Sequence, residues 1–275
     1  MQSTSIGFIG GGNMARSLVG GLIADGVAAS AFTVSEPDPA RRAALAERYG
    51  VAVTADNCQA AAGAEVVVLA VKPQVLPGVA REIAAALADR HPLVVSIAAG
   101  IRSTDVARWV GDAVPVVRAM PNTPALIGCG ATALYAGPGT EARHRELAES
   151  ILRAAGSVTW VESEPQMDAV TALSGSGPAY FFLLTEAMAD AGTALGLPRD
   201  TARLLALETA LGAARMSVES ADDVAELRRR VTSPGGTTEA ALAVLQNGGF
   251  GSLVDRAVRA ACERSRELAD SFGRE

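Results

Sequence analysis

Three small residues near the start of the chain, Gly10, Gly12 and Ala15, have a spacing that suits the binding of a phosphate group. The first glycine permits a tight turn, the second lets the backbone approach a ligand, and the small third residue lets a helix pack closely on the preceding strand. A helix that begins near Asn13 would point its free N–H groups at the phosphate. The pattern predicts a dinucleotide site, with a glycine turn that binds nothing as the alternative.

The elements around this turn are those of an open parallel sheet. Residues 6–9 form a short apolar run typical of a buried strand, and further apolar runs predict strands at 32–35, 51–53, 65–71, 93–97, 114–117, 131–135 and 158–161. Helices lie between them, and Pro73 is expected to begin one. Ligands of such sheets bind beyond the carboxyl ends of the strands. These ends supply the expected cofactor-binding residues, which are Gly10, Gly11, Gly12, Asn13, Met14, Ser35, Glu36, Ala70, Val71, Lys72, Pro73, Ala98, Ala99 and Gly100.

Glu36 bears on the choice of cofactor. It lies 21 residues after Ala15, about where an acid in this fold hydrogen-bonds the adenosine ribose. Such an acid favours NAD over NADP because it repels a 2′-phosphate, and Arg41 and Arg42 could offset that repulsion. The alternative is a solvated acid at the end of a strand.

The pattern changes near residue 163, after which every segment has helical spacing. We therefore expect an α/β fold with two domains. Residues 1–163 form a Rossmann-type, doubly wound parallel sheet, and residues 164–275 form an all-helical domain. Small residues inside the long helices permit close packing, either in a core or against another subunit.

A glycine turn that opens a late helix is the second candidate site. Ser233, Gly235, Gly236 and Thr237 combine exposed N–H groups with hydroxyls, and together they form a nest for an anion such as a carboxylate. The alternative is an ordinary helix cap preceded by a Pro-Gly turn.

Composition narrows the range of partners. A net charge of -6 argues against a nucleic acid or an anionic membrane. The most apolar stretch, 178–197, contains two acids and is not expected to span a membrane. No metal site is predicted, because the two histidines, His91 and His144, are expected to be solvated and the three cysteines lack metal-ligand spacing. Such cysteines favour free thiols and a cytoplasmic protein.

Six segments together make the chain resemble the pyrroline-5-carboxylate reductase family. They are FIGGGNMA at 8–15, AVKPQ at 70–74, SIAAG at 96–100, MPNTP at 120–124, DAVTALSGSGPAYFF at 168–182 and RRRVTSPGGTTEAAL at 228–242. The resemblance implies reduction of a cyclic imino acid, 1-pyrroline-5-carboxylate, to L-proline with NADPH or NADH. It also implies a homodimer or larger homo-oligomer that forms through the helical domain.

The same resemblance implies roles for individual residues. Thr238 would be the catalytic residue and hydrogen-bond the ring nitrogen. Ser233, Gly235, Gly236 and Thr237 would bind the substrate, with Glu164 and Ser176 also at the substrate and Asn57 near the adenosine of the cofactor. Many relatives have a small or basic residue where this chain has Glu36, so the preference between NADPH and NADH stays open.

Two other functions are compatible with a nucleotide-binding domain followed by helices. A β-hydroxyacid dehydrogenase would need a catalytic lysine in its helical domain, but the single lysine of this chain, Lys72, lies in the first domain. A catalytically silent nucleotide sensor would keep Gly10–Ala15 but would have no need for a carboxylate nest.

Overall fold

A computed structural model describes residues 4–274 and contains one eight-stranded sheet. The strands follow the spatial order β3-β2-β1-β4-β5-β6-β7-β8, and every neighbouring pair is parallel except β6 and β7. Their bounds are β1 Ile6–Ile9, β2 Phe32–Ser35, β3 Ala52–Thr54, β4 Val66–Leu69, β5 Leu93–Ser96, β6 Val116–Met120, β7 Gly130–Ala136 and β8 Gly156–Trp160. The predicted Rossmann-type α/β class is confirmed.

The central strands β1, β4 and β5 are buried on both faces, as strands of a parallel sheet covered by helices must be, whereas the edge strands β3 and β8 are partly exposed. Seven helices accompany it, which are α1 Asn13–Ala24, α2 Pro39–Tyr49, α3 Asn57–Ala61, α4 Leu76–Leu87, α5 Ser103–Val110, α6 Ala142–Arg153 and α7 Gln166–Val170. Along β4, Val66 and Val68 pack into one apolar cluster with α1 and α6, whereas Val67 and Leu69 pack into a second with α4 and α5. This alternation is the period-two pattern of a strand.

Two details of the sheet differ from the sequence-based expectation. The strand predicted at 114–117 runs instead from Val116 to Met120 and pairs antiparallel with β7. The segment between them is a 3₁₀ turn at Thr123–Ile127, and it is too short for the crossover that parallel neighbours require. Pro73 does not begin α4. It lies in a turn closed by a hydrogen bond from Val75 N to Lys72 O, and the helix starts at Leu76.

The described residues fall into two compact units. One comprises the residues up to Ser176 together with those from Ala260 onward, and the other comprises Gly177–Arg259. The later helices are α8 Gly177–Ala194, α9 Arg199–Glu219, α10 Val224–Arg230, α11 Thr237–Asn247 and α12 Phe250–Phe272. The domain boundary expected near residue 163 stays a prediction.

The helical unit leaves much apolar surface uncovered. In α8 only Gly177 is buried, and in α9 only Ala202 and Ala206 are. The exposed side chains include Phe181, Phe182, Leu183, Leu204, Leu205 and Leu211. Large exposed apolar side chains in such number are typical of an interaction surface. Among the described residues, no helix combines the length and apolar character needed to cross a membrane.

Candidate functional site

Gly10, the first glycine of the predicted phosphate-binding turn, has a backbone conformation that favours glycine. Gly10 has φ +99°, and a methyl group added there would lie 2.7 Å from the carbonyl oxygen of Ala70. Its N–H donates to Ser35 O at 2.9 Å, and Ala70 N donates to Ile9 O at 2.8 Å. The turn therefore brings the ends of β1, β2 and β4 to one edge of the sheet, as the sequence predicts.

The second glycine faces open space. Gly12 precedes α1 with φ -70°, and apart from Gly12 itself and its two chain neighbours no heavy atom of the described residues lies within 4 Å of a methyl group added there. Asn13 and Met14, exposed and half-buried respectively, follow in the first turn of α1, whose amides lack intrahelical partners. Open space before a helix N-terminus is what close approach of a phosphate requires.

Glu36 is buried, so the alternative of a solvated acid is wrong. Only 5% of the residue is exposed, and its carboxylate accepts hydrogen bonds from Gly11 N at 3.2 Å and Asp38 N at 3.1 Å. The Arg42 guanidinium donates to the Glu36 carbonyl oxygen at 2.6 Å. Glu36 thus ties the glycine turn to the segment after β2. A bond to the ribose stays a prediction.

Ser35 and Asn57 are brought together at the same edge. The Ser35 hydroxyl is buried and donates to Asn57 Oδ1 at 2.7 Å, and Asn57 Nδ2 donates to Glu82 Oε2 at 3.0 Å. Ser35 therefore orients Asn57 at the start of α3. Asn57 is half-buried.

The remaining expected cofactor residues follow β4 and β5. Ala70, Val71 and Pro73 are half-buried and Lys72 is exposed, whereas Ala98 and Gly100 are buried and Ala99 is half-buried. Gly100 has φ +69°, and a methyl group added there would lie 3.2 Å from Cβ of Leu268 in α12. The loop after β5 is therefore packed firmly against α12.

Glu164 lies in a buried polar cluster that the sequence did not reveal. Its Oε1 accepts from Ser103 N at 2.6 Å, and its Oε2 accepts from the Ser103 hydroxyl at 2.9 Å. Arg118, which is 2% exposed, donates to Oε1 at 3.3 Å, and its Nη2 has no hydrogen-bond partner among residues 4–274. Burial lowers the pKa of Arg118, and the charge of Glu164 partly opposes that shift. The sequence feature that could have indicated this cluster is Arg118, an arginine within the apolar run of β6.

Ser176 ends a short π-helix, Thr171–Gly175, with its N–H donating to Thr171 O at 2.8 Å. Such π-helical turns are frequent at functional sites. Asn122 fixes the segment from the sheet, because its Nδ2 donates to Ser174 O at 3.0 Å and its Oδ1 accepts from Ala131 N at 2.9 Å. Two of the segments that carry the resemblance, MPNTP and SGSGP, are therefore hydrogen-bonded to one another.

The predicted carboxylate nest lies in the helical unit. Gly235 has φ +72°, and Gly236 N donates to Ser233 O at 3.0 Å. Helix α11 begins at Thr237, so the first amides of the helix, including that of Thr238, point out of the turn. Thr238 is half-buried, and the Gly235 N–H is taken by Glu239, whose Oε2 lies 2.7 Å away.

Metal-ligating groups come together at one place among residues 4–274. Ligand atoms of Asp56, Cys58 and Glu82 lie within 4.8 Å of one another. Burial, and then the two acids, raise the pKa of the Cys58 thiol, and its sulfur donates to the Glu82 carbonyl oxygen at 3.3 Å. A protonated thiol is a poor metal ligand. His91 is exposed as expected, but His144 is buried, with Nδ1 accepting from Glu141 N at 3.1 Å.

Comparison with known proteins gives a family match for each of two parts of the chain. Residues 5–100 match the family described as NADP oxidoreductase coenzyme F420-dependent, and residues 164–268 match that of pyrroline-5-carboxylate reductase dimerisation. The chain is 52% identical over 273 residues to a pyrroline-5-carboxylate reductase of Pseudomonas aeruginosa, covering 99% of this chain and 100% of the relative.

Solved structures agree with this assignment. The pyrroline-5-carboxylate reductase of Coxiella burnetii superposes with a TM-score of 0.93 at 46% identity, over 97% of this chain and 99% of that one. The pyrroline carboxylate reductase of Plasmodium falciparum, solved with NADP bound, gives 0.86 at 30% identity over 98% and 99%. Given this similarity along the whole length, the chain belongs to the pyrroline-5-carboxylate reductase family.

Proposed function

We propose that this protein reduces 1-pyrroline-5-carboxylate to L-proline, with NADPH or NADH as the hydride donor. The observation that carries the proposal is 52% identity to a reductase of that name over essentially the whole of both chains. The neighbour solved with NADP bound supports the cofactor class.

The residues at the edge of the sheet fit a dinucleotide. Gly12 offers space that a methyl group would fill, and the first amides of α1 face that space. Gly10, Gly11, Asn13 and Met14 would hold the pyrophosphate. Residues farther along the edge would hold the rest of the cofactor, and they are Ser35, Glu36, Asn57, Ala70, Val71, Lys72, Pro73, Ala98, Ala99 and Gly100. The bound dinucleotide supplies a hydride for the imine carbon.

The turn before α11 would bind the substrate. Ser233, Gly235, Gly236 and Thr237 would hold the carboxylate with amides and hydroxyls. Thr238 would hydrogen-bond the ring nitrogen, orient it and pass on its proton. We also assign Ser176 to substrate binding.

Positioning can account for much of the rate. A protonated cyclic imine is already a strong electrophile, so the reaction needs no acid with a shifted pKa. Holding two reactants in line contributes about 7–11 kcal/mol in well-oriented systems. We therefore assign three tasks to the protein: it binds the cofactor and the imino acid, aligns them, and keeps one proton at the ring nitrogen.

We assign the exposed apolar surface of α8 and α9 to contact with a second copy of the chain. Residues 164–268 match a dimerisation family, and Phe181, Leu204 and Leu211 are among the apolar side chains left exposed by one copy. A homodimer or larger homo-oligomer formed through these helices would bury them.

Net charge bears on the class of partner, and the state of the cysteines bears on the cellular compartment. A net charge of -6 disfavours nucleic acid as a partner. Cys58, Cys129 and Cys262 are free, which suits a reducing compartment such as the cytoplasm.

The test is loss of dihydronicotinamide absorbance when 1-pyrroline-5-carboxylate is added, with NADH and NADPH run side by side. We expect Thr238→Ala to lower kcat/KM for the imino acid at least tenfold, about 1.4 kcal/mol, while the KM for the cofactor stays nearly constant. The matched control is Thr232→Ala, because Thr232 follows the end of α10, its hydroxyl donates to Arg228 O at 2.7 Å and it has no assigned role. No turnover by the wild type would refute the reductase, and wild-type kinetics in Thr238→Ala would refute the residue assignment.

A further inference from the structure

The carboxylate of Glu164 closes the N-terminus of α5, the helix that follows the loop at residues 98–102. Ser103 is the first residue of α5, and both its N–H and its hydroxyl donate to Glu164, at 2.6 Å and 2.9 Å. The preceding residue is Arg102, whose side chain has no acceptor atom and cannot cap the helix. The cap therefore comes from 61 residues away along the chain.

Arg118 of strand β6 forms an ion pair with that carboxylate. Its Nη1 lies 3.3 Å from Glu164 Oε1, and the two side chains are only 3% and 15% exposed. A buried ion pair of this kind fixes both partners, because removing either one leaves the other charge buried and uncompensated. Strand β6, which carries Arg118, is hydrogen-bonded within the sheet and gives the pair a rigid base.

We propose that Arg118 is a positioning residue for the cofactor loop Ala98–Gly100, acting through Glu164 and Ser103. The inference rests on the proposed function only in taking Ala98–Gly100 as part of the cofactor site. Both oxygens of Glu164 already accept hydrogen bonds within this cluster.

The short path from Ser103 to the loop makes the coupling direct. Strand β5 ends at Ser96 and α5 starts at Ser103, so the loop is held at both ends. On its far side Gly100 packs against Leu268, and Arg102 pairs with Asp270 of α12. Loss of the Glu164 cap would free the α5 end of the loop and leave the sheet end in place.

The test measures cofactor affinity and substrate KM separately. NADPH binding is followed by its fluorescence without substrate, and KM for 1-pyrroline-5-carboxylate is measured at saturating NADPH. We expect Glu164→Gln and Arg118→Met each to raise the NADPH Kd at least tenfold while the imino acid KM stays within twofold. In the double variant the effect should be no larger than that of the worse single change, since the two residues act in one chain.

Two further variants keep the test decisive. Ser103→Ala removes one hydrogen bond and leaves both charges, and we expect it to raise the NADPH Kd severalfold even if the charge variants fold poorly. The matched control is Glu149→Gln, since Glu149 also accepts three hydrogen bonds, from Arg153 and Trp160, but holds α6 to β8. It should leave both constants unchanged.

The opposite pattern overturns the proposal. A raised imino acid KM with an unchanged NADPH Kd would make Glu164 a substrate ligand, and additive effects in the double variant would separate Arg118 from Glu164. An unchanged NADPH Kd in Ser103→Ala would also contradict it. Because NADPH binding is measured without substrate, a wild type that binds NADPH but does not reduce the imino acid would refute the proposed function and leave this inference standing.

Discussion

Alanine at Gly10 should cost much more stability than alanine at Gly12, whereas alanine at Gly12 should weaken cofactor binding. At Gly10, with φ +99°, a left-handed backbone costs alanine about 1–2 kcal/mol. The new methyl group would also lie 2.7 Å from the Ala70 carbonyl oxygen, and overpacking of this kind costs about 1–3 kcal/mol. The free energy of unfolding should therefore fall by about 2–5 kcal/mol in Gly10→Ala.

Gly12→Ala meets neither obstacle. Its φ of -70° is an ordinary one for alanine, and beyond the adjoining residues no described heavy atom lies within 4 Å of the new methyl group. The only cost is a poorer helix cap, about 1 kcal/mol at most. The methyl group would instead occupy the space assigned to the pyrophosphate, so the NADPH Kd should rise at least tenfold.

Thermal melts of the two variants check the predicted stabilities, and NADPH fluorescence titrations check the predicted cofactor affinity. One kcal/mol moves the melting temperature of a chain of this size by about 2–4 °C, so Gly10→Ala should melt about 4–20 °C below the wild type. Gly12→Ala should melt within a few degrees of it. An unchanged NADPH Kd in Gly12→Ala would mean that the turn binds no nucleotide, and equal losses of stability in the two variants would refute the geometric reasoning.

Two other predictions concern buried titratable groups. Glu36→Gln should raise the ratio of kcat/KM with NADPH to kcat/KM with NADH about fivefold, because removing a charge near a 2′-phosphate relieves about 1 kcal/mol of repulsion. Steady-state kinetics with both cofactors measure this ratio. An unchanged ratio would mean that Glu36 has no part in the choice of cofactor. Burial lowers the pKa of His144 below its ordinary 6.5, so its contribution to stability is complete above that value and is lost as the pH falls through the lowered pKa. Urea unfolding at about pH 7.5 and about pH 5 should therefore show a smaller difference in His144→Gln than in the wild type, and equal differences would contradict the burial argument.

Local patterns predicted the elements that local sequence determines. The apolar run of β1, the glycine turn and the start of α1 near Asn13 were all predicted from short-range spacing. The glycine turn was likewise expected to open a helix, and α11 begins directly after it at Thr237.

Contacts between distant residues were not predictable in this way. Arg118 interrupts the apolar run of β6, so the strand was expected to end before it, and its partner Glu164 is 46 residues away. Glu36 was expected either to bind the ribose or to face solvent because nothing near it in sequence shows that Gly11 N would be its partner, 25 residues earlier. Such pairs follow from the register of the sheet, which a single sequence does not display.

The acid at Glu239 gives the proposed substrate turn a negative charge of its own. Its oxygen lies 2.7 Å from Gly235 N, so the turn keeps its shape while unliganded and a carboxylate arriving there meets a like charge. Both the imino acid and proline carry a carboxylate, and each, bound at this turn as proposed, would be held less tightly than bare amides would hold it. A looser grip on the product shortens its residence, which favours turnover over retention.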